Sequence, residues 1–223
     1  MKTADKQTLK FWRDEIVVGK TFLRLTDERS ILLAMQAGKG VEGEDRQVKR
    51  SRRFKHSDDL FEIIFYDLGD GLYVAVKIVD QEFDLRVYRE IEEDGFQSGN
   101  RQDQIDRENF WLFQEPDSEE FDVEELEMSE FFDYQPENEI GDFKTRFETK
   151  PIGTVVGSIK ENPIPSGCDG ERFTVLTEYQ SVDENHPAPE AIVLEVGGEE
   201  GEEGGYMTFL FGNNITPTEV DFL

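Results

Sequence analysis

The chain has 223 residues, 36% hydrophobic and 34% charged, with 51 Asp/Glu against 24 Lys/Arg and a formal net charge of −27. A field of that size repels nucleic acid and anionic membrane over most of the surface and attracts cationic proteins. The 18 Phe bring enough apolar area per residue to exclude disorder throughout and to support one good-sized core or two small ones.

The charge is split along the chain. Residues 1–56 carry fourteen Lys/Arg and eight Asp/Glu, whereas residues 57–223 carry ten and forty-three. The N-terminus leads to Phe11-Trp12 without the continuous apolar stretch of a signal peptide, and no run approaches the roughly 20 apolar residues of a bilayer span. With Cys168 the single cysteine, no intramolecular disulfide can form, and a cytoplasmic protein without a membrane span is expected.

From Glu15 to Leu25, β-branched and aromatic residues surround Gly19, and Ile31 to Met35 follows the polar cluster 26–30, so two strands joined by a turn are expected. Residues 38–56 read as an exposed loop whose basic part is 46–56. The strongest hairpin signal is Leu60–Leu68, Gly69-Asp70-Gly71, Leu72–Val79, because the Gly/Asp connector supplies the positive φ angles of a tight turn. Phe83 to Tyr88 extends this meander, with Phe83, Leu85 and Val87 on one face.

Asn100 is placed to cap a short helix over Arg101–Asn109. Residues 114–142 then hold thirteen Asp/Glu and no Lys or Arg, interleaved with apolar side chains, a composition typical of segments that fold against a partner or lie on their own domain. Strand patterns return at 143–147, 154–159, 172–179, 191–196 and 206–211. In the third, Leu176 breaks the alternation of a half-buried strand. The Gly/Glu tract 197–205 reads as a connector.

The expected fold class is α+β, predominantly antiparallel β, as a sandwich or partly open barrel with an acidic helical or irregular insertion. The expected organisation is a β-rich part over 1–99 with its basic loop at 46–56, an acidic segment over 100–142, and a β-rich part over 143–223. One compact domain is the first reading and two β subdomains the second. A duplicated β unit is a further possibility, although the residue-level match between the halves is poor.

Motifs for chemistry are weak. Ile16–Thr21 resembles the end of a phosphate-binding P-loop, but position 14 is Asp where that loop needs Gly, and strand rather than helix follows. No nucleophile elbow is present, and His56 and His186 read as solvated surface residues. Asp67–Gly71 lacks the alternating ligands of a calcium loop. No catalytic residue, metal site or cofactor is expected.

What remains is binding. A cationic or partly apolar protein partner is expected at residues 115–142, where Asp122, Glu124, Glu125 and Glu127 steer encounter and Phe121, Leu126, Phe131 and Phe132 supply contact area. Lys49, Arg50, Arg52, Arg53 and Lys55 form a basic patch around Phe54. It suits phosphate contacts, but the first reading is that it neutralises acids of the same molecule. Nucleic acid is therefore not expected except locally at 49–55. The leading function is a non-enzymatic acidic interaction or regulatory protein. The alternatives are a nucleic-acid mimic that inhibits a DNA-binding protein and a carboxylate-dependent hydrolase.

Overall fold

The computed structural model describes residues 7–26, 45–91, 131–134, 145–165, 170–186, 188–197 and 206–222, and the architecture that follows is theirs. The helix expected at 101–109 and most of the acidic stretch lie outside them. Among the described residues helix is confined to residues 9–10 running into a π-helical turn, Phe11–Glu15, and a 3-10 turn, Pro217–Glu219. No helix among them is long and apolar enough to cross a membrane.

The strands are β1 (Phe22–Leu25), β2 (Arg46–Gln47), β3 (Arg50–His56), β4 (Glu62–Asp67), β5 (Leu72–Val79), β6 (Glu82–Ile91), β7 (Phe131–Tyr134), β8 (Thr145–Asn162), β9 (Glu171–Ser181), β10 (Glu190–Val196), β11 (Tyr206–Ile215) and β12 (Val220–Phe222). The large sheet runs β3-β4-β5-β6-β11-β10-β9-β8-β7, and a further pairing of β3 with β8 closes eight of these strands into a barrel. All the pairings are antiparallel. The barrel is thus two four-stranded meanders, β3–β6 and β8–β11, joined edge to edge twice. It is neither the sandwich nor the open barrel expected from the strand pattern, because closure rests on Phe54↔Ile159 and its neighbours, 105 positions apart in the chain.

The β4–β5 hairpin forms where Gly69-Asp70-Gly71 stands. All three residues have positive φ, and the Asp67 carboxylate accepts from the Gly69 amide. β8 merges two stretches that read as separate strands, through a register shift between Thr149 and Thr154 that includes Gly153 at φ +66°. β7 adds to the first part of β8, whose later part carries β3.

Two expectations fail locally. Residues 46–56 are not a loop: β3 is a barrel strand, with Arg52, Phe54 and His56 buried and Lys55 exposed. Charge does not prevent this because the cations find carboxylates across the sheet. Likewise 15–25 opens with the π-helical turn, and strand begins only at Phe22.

Two apolar layers result. The inner one packs Phe54, Ile63, Phe65, Leu176, Ile192 and Leu194 with Tyr88 and Leu210 inside the barrel. The outer one lies on the opposite face of β4, β5, β6 and β11. It is covered by Phe11, Trp12, Leu23, Leu25 and Val220 from the π-helical turn and the small sheet β12-β1-β2. Inside, Gly212 and Gly157 admit the rings of Tyr88 and Phe54. A Cβ on either would press on that ring and on the backbone carbonyl of Val87 or Lys55.

Candidate functional site

The charged residues inside the barrel gather at its two ends. At one end Glu178, 1% exposed on β9, accepts from Lys77 of β5 and, at 2.7 Å, from Arg86 Nη1 of β6. Arg86 Nε lies 3.2 Å from Glu190 Oε2, an ion pair without hydrogen-bond geometry. Glu190 also receives Lys150 Nζ at 2.7 Å and Asn214 Nδ2 at 3.4 Å. The Tyr88 hydroxyl stands between Arg86 and Glu190. At the other end Glu161 bridges Arg52 (3.1 Å) and Arg172 (2.6 Å), and the Arg52 guanidinium lies 5.8 Å from the Tyr73 ring centre.

These groups act on one another's protonation. Burial pushes the Glu178 carboxyl up, but Arg86 and Lys77, with a smaller part from Lys150, outweigh it and hold it below the usual carboxylate range. Burial pushes the Tyr88 and Tyr73 phenols well above their usual value, so both remain neutral donors. The arrangement is suited to holding strands together. Each carboxylate is occupied by cations of the same chain, and tightly packed rings fill the space beside them.

The sequence offered a faint signal for this interior. Leu176 breaks the alternation of a half-buried strand at the position before Glu178 on the same face, and Lys77 is the single charge in the otherwise apolar β5. Nothing local, however, paired residues about a hundred positions apart.

The basic patch is split between the two faces of β3. Arg52 points inward to Glu161; Arg53 turns outward to Glu62, which also takes Arg13 at 3.3 Å; and Lys55 pairs with Asp59 at 2.6 Å. Lys49 lies along Gly69, and Arg50 is exposed. A groove of about 490 Å³ beside this strand includes Arg13, Lys55, Asp59 and Glu62, already paired with one another.

Both histidines are buried, contrary to the solvated placement expected of them. His56 Nδ1 accepts from the Asp58 amide, and His186 Nδ1 lies 2.8 Å from the Ala188 carbonyl oxygen, while the rings pack on Phe61 and Phe147. Among the described residues no group of three or more His, Cys, Asp or Glu is placed to hold a metal ion.

Of the expected partner-binding residues, Phe121, Asp122, Glu124, Glu125, Leu126 and Glu127 lie outside the described residues. Phe131 and Phe132 begin β7, in register with Glu148 and Phe147. Compared with family models, with curated proteins and with solved structures, the chain matches none.

Proposed function

We propose that this protein is a non-enzymatic acidic interaction or regulatory protein that engages a cationic or partly apolar protein through residues 115–142. The observation that carries this reading is where the cations go. Arg13, Arg24, Arg46, Arg52, Arg53 and Lys55 all pair with carboxylates of their own chain. The excess of 27 negative charges is therefore left for a partner, and thirteen acids fall in 114–142 with no Lys or Arg among them. Arrayed carboxylates raise the encounter rate with a basic surface, and the interleaved rings supply contact area once it docks.

The test is affinity capture from the native host at low and at high salt, with the intact protein and with Phe131→Ala/Phe132→Ala. Capture should fall at high salt, and the double variant should lose about 1–4 kcal/mol of affinity with the barrel still folded. Capture that ignores both salt and the double substitution would sink the reading. Loss of the folded barrel in the variant would count against it too, by assigning the two rings to the core.

A further inference from the structure

The two meanders that build the barrel meet along two seams. β6 pairs with β11 from Ile91↔Phe209 to Leu85↔Ile215, and β3 pairs with β8 from Ser51↔Asn162 to His56↔Gly157. Between the seams lies the inner apolar layer. Phe54, Ile63 and Phe65 of the first meander pack there with Leu176, Ile192 and Leu194 of the second.

The charges that pair between the two inner faces sort by meander. Arg52, Lys77 and Arg86 come from the first; Glu161, Glu178 and Glu190 come from the second. Four ion pairs cross between the two: Arg52–Glu161, Lys77–Glu178, Arg86–Glu178 and Arg86–Glu190. The second meander also brings Arg172 and Lys150, but each of these binds a carboxylate of its own meander. Two copies of the first meander face to face would bring cation against cation in a low-dielectric interior. A first and a second meander neutralise each other. Opposite sign thus favours one pairing and penalises the like-with-like pairing that identical barrel edges would otherwise allow.

We propose that the inner faces of the two meanders are complementary recognition surfaces, each fitting the opposite half-barrel, whether from the same chain or from a second copy of it. The barrel then closes without a covalent connection between β6 and β7.

The experiment places a specific protease site between residues 99 and 100 of the full chain, cuts the folded protein, and follows the pieces by sedimentation over a dilution series. The cut protein should sediment as a one-to-one complex of both pieces, keep its β-sheet circular dichroism and unfold in one transition. Two cut preparations carrying different tags should exchange halves on mixing. In the cut protein, Glu178→Gln/Glu190→Gln should raise the dissociation midpoint at least tenfold. Glu171→Gln, at an exposed carboxylate that bonds Ser158 on the outer face, should leave it unchanged. Should the double variant fail to fold, Glu161→Gln at the other end of the barrel is read in the same way. Pieces that separate or precipitate on cutting would overturn the proposal. So would a first piece that pairs with itself, or inner-face variants that dissociate no more readily than the Glu171 control.

Discussion

Glu178 shows how a single buried carboxylate is tolerated. Its removal from water is offset by Lys77 and Arg86, so the trio is close to neutral in net stability while it stays whole and costly when one member is lost. Replacing Glu178 with Gln should therefore destabilise the protein by about 3 kcal/mol at neutral pH, read as a lower urea midpoint at unchanged slope. The sign of the pH dependence follows from the depressed carboxyl. A folded-state value below the ordinary 4.5 contributes stability that is present above about pH 4.5 and lost as pH falls through the folded value. The gap between wild type and Glu178→Gln should accordingly narrow on acidification. A gap that stays constant from pH 7 to pH 3 would contradict this account.

Gly212 makes the complementary steric case, since its place opposite Tyr88 leaves no room for a Cβ. Gly212→Ala should cost about 1–3 kcal/mol through displacement of the ring and backbone. A variant as stable as wild type would show that Tyr88 can move aside freely.

At the scale of elements, the N-terminal segment is a lid on the outer face of the barrel. Phe11 meets Trp12 and Phe222 edge-on at 5.1 and 4.8 Å, and the Tyr66 hydroxyl donates to the Trp12 carbonyl. β1 pairs with β12, so the two ends of the described chain hold this cover together. Without it Ile64, Val74, Val76 and Val87 would present a continuous apolar face to water, which a barrel filled on the inside cannot absorb. Trp12→Ala should lower stability by about 3–5 kcal/mol and raise the binding of a hydrophobic dye under native conditions. Full stability with no added dye binding would show that the outer layer holds without this ring.

For the whole molecule, the decisive quantity is the imbalance of charge. Exposed pairs such as Lys55–Asp59 contribute little each, yet together with the Arg52 and Arg53 pairs they hold three cations of β3 against acids that are permanently close. The intact protein should then show no tight binding to a labelled DNA duplex at low salt, measured by fluorescence anisotropy. Tight binding would mean that the basic strand outcompetes its own carboxylates for phosphate.

Local sequence alone determined the elements whose causes are local. The β4–β5 hairpin follows from a Gly-Asp-Gly connector that tolerates positive φ, and the placement of Phe83, Leu85 and Val87 on one face of β6 follows from two-residue alternation. The predominance of antiparallel β was likewise legible in short β-rich runs separated by turn residues. The tertiary structure alone decided three things. It drew 50–56 into the barrel, because Arg52 needs Glu161 from a strand more than a hundred residues away to be buried. It closed the sheet, because register between β3 and β8 is set by packing across the interior and leaves no trace in either strand's own pattern. It also turned Lys77, Arg86, Glu178 and Glu190 inward, whose charges read as surface until each partner is supplied by the opposite meander. An isolated charge is too costly to bury, so its place in the fold is settled only when the chain brings the opposite charge to it.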